Sequence, residues 1–402
     1  MAATSAPSAA TKVRVYHSPT EVRTGIGARS ELPMLCDRLG AKRPVVICCD
    51  GVAKSGTLKL VTDVFEKAGR NVPTNAGIRC EPDLPLPTEI FRWAKAQNAD
   101  LLIGVGGGSV IDTGKVVAWM FNPANPPPEK VWGTTDKVPA RGLPTIFLPT
   151  TAGTGSEVTN IAIFYNPQSQ LKQGIVTQHN FADIAIVDPE LTLTLPARET
   201  AATGLDALCH SVECMISTGA TPMTDALALQ SIVEVFKHLL PAVRDGKNLA
   251  ARAGMMDGVL MASISFGNAG VCGVHAMSYP LGGTYHVPHG ESNALMMVEV
   301  LRYLLPACTE KLARMGRAIG VGGPNSGGYS ADSDQAAATG FLNRLDQYIN
   351  ELKVPRRLRD VGVPENALES MTEGALAVTR LMVRNPREIT REAALQIYRN
   401  VY

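Results

Sequence analysis

The chain has 402 residues, 38 of them Lys or Arg against 37 Asp or Glu, a balance that leaves no electrostatic case for nucleic acid or an anionic membrane surface as partner. That length exceeds one small core and fits two domains. Eight cysteines without a Cys-x-x-Cys pair, most among apolar neighbours, read as reduced thiols of a cytoplasmic protein, and no apolar run approaches the ~20 residues that span a bilayer, so a soluble protein is expected.

Residues 1–12 are small and polar, with neither an apolar signal core nor the arginines of a presequence, and read as a disordered tail. From 13 to 193, short β-branched runs alternate with helical stretches. Val45–Cys49, Leu101–Val105, Thr145–Leu148 and Ile184–Val187 are apolar and closed by Asp, Gly or Pro, as strands buried on both faces should be. Thr57–Ala68 and Leu86–Gln97 read as helices between them, which gives the β-α-β rhythm of a parallel sheet. Asn122–Arg141, with five prolines, reads as a long loop. Pro196 interrupts the chain near Leu191–Arg198, and we place the domain boundary there. Beyond it Ala226–Val243, Ala250–Ser265, Val298–Ile319 and Ser333–Leu352 are long and helix-periodic, with a Gly/Ser-rich loop at Gly322–Asp332, so residues 194–402 are expected to be all-helical.

Leu101–Lys115 has the form of a strand, a glycine turn and a helix start. Gly106, Gly107 and Gly108 let a phosphate approach the backbone, Ser109 is placed to cap the helix with Asp112 close behind, and the helix N-terminus offers aligned N–H donors to a pyrophosphate. The spacing is not Gly-x-Gly-x-x-Gly, so this is not the usual Rossmann pattern. After the next strand, Thr150, Thr151, Thr154 and Ser156 surround two glycines, with hydroxyls suited either to a nucleotide or to an ordinary capped turn. Asp50 ends the strand Val45–Cys49, where a carboxylate either accepts both hydroxyls of an adenosine ribose, repelling a 2′-phosphate, or simply forms a turn.

Three of the seven histidines, His275, His286 and His289, fall within fifteen positions. Asp206 and His210, four apart, share one face of an otherwise apolar helix. Taken singly, such residues read as a hydrogen-bonded pair and a tight turn at Pro288–Gly290. Taken together they are costly to bury unless satisfied, and one divalent cation satisfies them all. Imidazoles with one carboxylate suit Fe(II) or Zn(II) without choosing between them.

Gly106-Gly-Gly-Ser-x-x-Asp112-x-x-Lys115, Pro149-Thr-Thr-Ala-Gly-Thr-Gly-Ser-Glu-Val-Thr159, Gly204-Leu-Asp-Ala-Leu-x-His210, His275 with Pro288-His-Gly290, and Asn385-Pro-Arg-x-Ile-Thr stand in the order and approximate spacing of the iron-containing (group III) alcohol dehydrogenases. The chain resembles that family from about Val13 to its end. The resemblance implies an α/β nucleotide-binding domain with a parallel sheet, then an all-α metal-binding domain, a fold related to 3-dehydroquinate synthase. It also implies a cleft between them for NAD, a divalent metal (Fe2+ before Zn2+) and a small alcohol, aldehyde or hydroxy acid, in a homodimer. By motif position the metal ligands are Asp206, His210, His275 and His289, and the cofactor contacts include Asp50, Gly107, Gly108, Ser109, Asp112, Thr150, Thr151, Thr154 and Lys172.

One stretch departs from the family pattern. Many members read His-x-x-x-His-Pro where this chain has His275-Ala-Met-Ser-Tyr279-Pro280. Together with Phe266–Val271 this looks closer to the branch containing hydroxyacid-oxoacid transhydrogenases. Tyr279 and His286 are then the two candidates to pass the alcohol proton to solvent. The expected activity is hydride transfer between an alcohol or hydroxy acid and nicotinamide, with the metal as Lewis acid. A transhydrogenase that keeps its nicotinamide bound, and a lyase like 3-dehydroquinate synthase, are the rival readings.

Overall fold

The computed structural model describes residues 13–402 apart from 81, 84, 167–170 and 322–330. The tail expected at 1–12 and most of the loop expected at 322–332 lie outside the described residues. The first half builds a six-stranded, wholly parallel sheet from β1 (Glu21–Thr24), β2 (Pro44–Cys49), β3 (Thr74–Ile78), β4 (Leu101–Gly106), β5 (Thr145–Pro149) and β8 (Ile184–Val187), in the order β1-β8-β5-β4-β2-β3. The four strands legible as apolar runs are the four interior ones. The two that were missed, β1 and β3, are the edges, where Glu21, Arg23, Thr74 and Asn75 dilute the hydrophobic pattern of a strand paired on one side only.

Helices α1 (Leu32–Arg38), α2 (Asp50–Lys54), α3 (Thr57–Lys67), α4 (Pro85–Ala96) and α5 (Gly108–Met120) accompany this sheet. From β2 the chain goes outward to β3, then returns across β2 to β4 and onward to β5 and β8. The order therefore reverses between β2 and β4, and the crevice beyond their C-terminal ends is where open α/β sheets bind ligands. Asp50 and the 106–108 turn flank that crevice. An antiparallel hairpin, β6 (Ile161–Asn166) with β7 (Leu171–Val176), adds a second small sheet that the sequence pattern did not reveal.

No strand occurs after Val187 among the described residues. Helices α6 (Ala197–Ile216), α7 (Pro222–Arg244), α8 (Leu249–Ala269), α9 (Gly273–Tyr285), α10 (His289–Ala318), α11 (Ala331–Glu351), α12 (Leu368–Leu376), α13 (Thr379–Met382) and α14 (Arg391–Asn400) fill the second half. One expectation needs correcting: α7 and α8 are each long and apolar enough to cross a bilayer. Instead they pack against each other and α6 in the largest core cluster. Arg252 of α8, 1% exposed, donates to Thr200 Oγ1 (2.8 Å) and to the carbonyls of Leu195 (2.9 Å) and Gly246 (3.1 Å). A core helix explains both the apolarity and this satisfied buried cation.

Two further expectations change at α5. Gly107, not Ser109, is the N-cap, no side chain caps the helix, and Ser109 is its second residue. Asp112 lies beyond the first turn and is committed to the fold: it accepts from the Ser156 hydroxyl and from the Ile163 amide (2.8 Å). Lys115, buried beneath it, donates to Ser156 Oγ (2.7 Å) and the Ile161 carbonyl (2.6 Å). Glu157 is buried beside this pair. Burial raises its pKa to about 7, against the opposing pull of Lys115.

The cluster thus clamps α5 to the hairpin with one cation and two carboxyl groups. Asp112→Ala leaves Lys115 buried without its partner and should lower stability by about 3–5 kcal/mol in urea unfolding. The sign for Glu157 is opposite. Its folded pKa lies above the ordinary 4.5, so its favourable contribution is complete below that value and lost as pH rises through about 7. Glu157→Gln, which cannot ionise, should gain Tm relative to the parent between pH 5 and pH 8, and parallel Tm curves would contradict this.

Candidate active site

The site begins with helix spacing. On α6, Asp206, His210 and Glu213 recur at intervals of four and three and so occupy one face. His275 and Tyr279 repeat the interval on α9, and His289 and Asn293 repeat it at the start of α10, behind the N-cap Pro288. Three helix faces therefore meet. Their focus is one carboxylate oxygen: Asp206 Oδ1 lies 3.8 Å from His210 Nε2, 3.7 Å from His275 Nε2 and 3.6 Å from His289 Nε2.

Those separations are too long for hydrogen bonds. Two ligand atoms at about 2.1 Å from one ion, held at a tetrahedral angle, stand about 3.4 Å apart, close to the spacing of this set. The donors therefore fit a divalent cation, and Asp206, His210, His275 and His289 would hold it. His210 stacks on Phe266 (4.2 Å between centroids) and on His275 (4.8 Å), which fixes its ring plane.

Electrostatics prepare the set for a cation. Burial alone would raise the Asp206 pKa, but the three imidazoles outweigh it and hold the carboxyl well below its usual range. Burial lowers His210 to about 4 and His289 to about 3, so both present neutral rings at physiological pH. His275 is also penalised by burial, yet Asp206 and Glu213 on its two sides raise it to about 9, so this ring is the one that must release a proton when a cation binds. Glu213, fully buried, accepts from His275 Nδ1 at 2.5 Å and from the backbone amides of Val274 (2.6 Å) and His275 (3.3 Å). A carboxylate behind a ligating imidazole fixes its tautomer and strengthens it as a donor.

Neither Glu213 nor Asn293 emerged from the sequence. The Asn293 amide donates to Asp206 Oδ1 at 2.8 Å and lies 3.2 and 3.3 Å from His275 Nε2 and His289 Nε2. Glu213 continues the α6 face of Asp206 and His210 by one turn, and Asn293 stands one turn after His289 on α10, so the same helical spacing marks both.

The cluster opens into a cavity of about 510 Å3 that also reaches the glycine turn. Of the expected cofactor residues, Gly108, Ser109, Asp112, Thr154 and Lys172 line it, the last on β7. Gly107, Thr150 and Thr151 stand just behind: the Thr150 amide donates to the Gly106 carbonyl (3.1 Å), and a Cβ on Gly107 or Gly108 would come within 3.1 Å of Thr151 or 3.0 Å of Thr154. The two loops thus brace each other. Gly155, at φ +55°, turns the second loop against α8, where a Cβ would overlap Ser263. Asp50 lies outside the cavity as the first residue of α2, exposed and paired with Lys54 at 2.6 Å, a weak surface contact that a ligand can displace.

The two proton-relay candidates separate. Tyr279 is buried in the cavity wall, its ring 6.2 Å from that of His289. His286 is exposed, does not line the cavity and forms the left-handed C-cap of α9 (φ 53°), edge-on to Tyr165 at 6.2 Å.

A cavity with a phosphate-suited helix N-terminus at one end and a four-donor metal cluster at the other defines a metal-dependent, nicotinamide-linked oxidoreductase. Residues 19–189 match the iron-containing alcohol dehydrogenase family and residues 200–402 the C-terminal part of the same family. Long-chain-alcohol dehydrogenase 1 of Geobacillus thermodenitrificans is 37% identical over 381 residues, 94% of either chain. Among solved structures, 1,3-propanediol oxidoreductase superposes with a TM-score of 0.91 at 32% identity, covering 97% of this chain and 100% of its own. Sulfoacetaldehyde reductase of Bifidobacterium kashiwanohense, in complex with NAD+, gives 0.87 at 26%, covering 97% and 99%. The chain belongs to the iron-containing alcohol dehydrogenase family, oxidoreductases acting on CH–OH groups.

The cluster predicts about one divalent ion per purified chain by elemental analysis, lost in His275→Ala and in His289→Ala. Glu213→Gln should keep the fold and weaken metal affinity roughly 10–100-fold in a chelator competition. Unchanged affinity would show that Glu213 is only a packing partner.

Proposed function

We propose that this chain interconverts a small alcohol and its carbonyl with NAD, the substrate lying in the cavity between the Asp206/His210/His275/His289 cluster and the 106–109 turn. The observation that carries this reading is the opening of both ends into one cavity, because hydride transfer needs the alcohol carbon and the nicotinamide side by side. When bound, the metal supplies a Lewis acid that lowers the alcohol pKa or polarises the carbonyl, and the nicotinamide supplies the hydride acceptor or donor.

The chain's own residues supply the rest. Phe266, stacked on His210, covers one side of the cluster and excludes water there. Gly108 and Ser109 offer the α5 N-terminus to the pyrophosphate, with Thr154 facing them. This reading assigns Asp50, at the sheet's switch point, to the adenosine ribose, where its carboxylate would disfavour a 2′-phosphate. Burial raises the Tyr279 pKa above its ordinary 10.0, the Arg380 guanidinium beside it working the other way, so Tyr279 Oη holds its proton at neutral pH. From there it can donate to a carbonyl oxygen or, in reverse, hand the alcohol proton outward. His286, outside the cavity, is the weaker candidate. Six of the eight thiols are buried, which supports a reducing, cytoplasmic setting.

The test is NADH formation from a panel of alcohols, aldehydes and hydroxy acids after loading with Fe(II) or Zn(II). Loaded protein should turn over and metal-free protein should not; full activity without metal would overturn the reading. Tyr279→Phe should retain metal and NAD affinity while kcat falls roughly 10²-fold. In Asp50→Gly the preference for NAD over NADP should narrow mainly through the KM for NADP, and equal kcat/KM for the two cofactors in the parent would remove Asp50 from the ribose.

A further inference from the structure

The cavity carries two cations that the chemistry above does not use. Arg380 on α13 and Arg384 just beyond it are four apart and both line the wall. Two carboxylates share that wall, Asp112 and Asp206, and both are committed, one to the α5 clamp and the other to the imidazole cluster. Among the described residues neither guanidinium lies within 4.0 Å of a carboxylate; Arg380 stands beside the Tyr279 hydroxyl, and Arg384 donates one hydrogen bond, from Nη1 to the Ala269 carbonyl at 2.9 Å. Each guanidinium has five N–H donors in a planar fork; with Arg384 half-buried and Arg380 exposed at the cavity's edge, donors remain for a ligand that enters the cavity.

The fold holds Arg384 in place. Arg384 passes two glycines, Gly219 and Gly270, where a Cβ would come within 2.8 Å and 2.7 Å of its guanidinium; Gly270, at φ +72°, also has a backbone conformation that side-chain-bearing residues avoid. The Arg384 carbonyl accepts from Thr218 N (2.9 Å), and next door the Asn385 side chain accepts from Gly273 N (2.9 Å), the first residue of the helix that carries His275 and Tyr279. Arg384 is thereby indexed to the Asp206 and histidine cluster, with Arg380 one turn before it on the same wall. They are also displaced from the cofactor end: on α8, Ser263 meets the Gly155 loop and Ala269 meets Arg384, six residues or about 9 Å further along the axis.

We propose that Arg380 and Arg384 form an anion subsite at the substrate end of the cavity, so that the preferred substrate is a short alcohol bearing a carboxylate or sulfonate. This rests on the dehydrogenase reading, and it gives the arginines a partner that no protein group supplies. Its hydroxyl faces the metal cluster and its oxyanion meets the guanidinium forks, which suit planar or tetrahedral oxyanions through paired N–H donors.

The experiment compares 3-hydroxypropanoate and 2-hydroxyethanesulfonate with the neutral 1-propanol, using metal-loaded enzyme and NAD. The expected result is a kcat/KM at least tenfold higher for one of the anions, with the better anion identifying carboxylate or sulfonate. That ratio should fall roughly 10–100-fold in Arg384→Gln and Arg380→Gln, through the KM for the anion and not the KM for NAD, with partial recovery in Arg384→Lys. Calorimetric binding of 3-hydroxypropanoate and 2-hydroxyethanesulfonate to metal-loaded protein separates the two readings. Binding of either that both substitutions abolish supports the subsite even without turnover. Turnover of 1-propanol with no preference for either anion, or anion binding and selectivity indifferent to both substitutions, overturns the subsite and leaves the dehydrogenase standing. A shift in the KM for NAD instead would assign the arginines to the dinucleotide and also overturn the proposal.

Discussion

The second half of this protein is organised by the cost of burying one carboxylate. Asp206 is 3% exposed on a helix whose other faces are almost wholly apolar, and an ionised group there is tolerable only if opposite charge or polarity surrounds it. Three helices answer that demand from separate points in the sequence, each bringing an imidazole to the same oxygen. The requirement then propagates outward. His275 needs Glu213 behind it, Glu213 needs the amides of Val274 and His275, and those amides are free to donate because they lie at the first turn of α9, where backbone N–H groups have no helical partner.

The sheet half answers a different constraint, the alignment of a phosphate-suited helix mouth with this cluster. Its solution is steric. The glycine turn packs on Thr151 and Thr154, the loop carrying them turns back through Gly155 onto Ser263, and Gly153 abuts Thr203 of α6, one turn ahead of Asp206. Close approach between backbone and side chain is thus what couples the nucleotide end to the metal end. It accounts for a run of small residues that, as sequence, suited either a nucleotide or an ordinary capped turn.

What was legible in the sequence follows from the range of the interactions involved. Interior strands showed as apolar runs because both faces are buried, and the Asp206, His210, His275 and His289 cluster showed because imidazoles and a carboxylate are conspicuous on apolar helices. The edge strands β1 and β3 did not show, since a strand paired on one side tolerates Glu21 and Asn75. Asp112 read as a cofactor contact because the glycine turn precedes it, whereas its partners Ser156 and Ile163 lie more than forty residues on and outweigh local context. Ser109 read as a cap for the same local reason, but the helix is capped two residues earlier, at Gly107, whose backbone is extended (ψ −169°). His286 shared a histidine-rich segment with true cavity residues and still points elsewhere, because a left-handed residue ends α9 between Tyr279 and His289 and redirects the chain.

The C-terminal turn illustrates the limit of local reading most clearly. Nothing around Thr379–Asn385 marks it as part of a site: two arginines four apart, one in a four-residue helix and one just past its end, ordinarily face solvent. Its meaning comes from contacts with residues more than a hundred positions away, Ala269, Gly270 and Gly273, which lie at the junction of α8 and α9. That junction is the backbone link between Phe266, which covers His210, and His275, itself one of the four clustered donors. A segment anchored there is held at a fixed distance from the cluster while its own side chains remain free of the ligand set. Residues in such a position can change what occupies the cavity without disturbing the metal ligands, which makes this turn the part of the wall where one ligand set can be given different substrates.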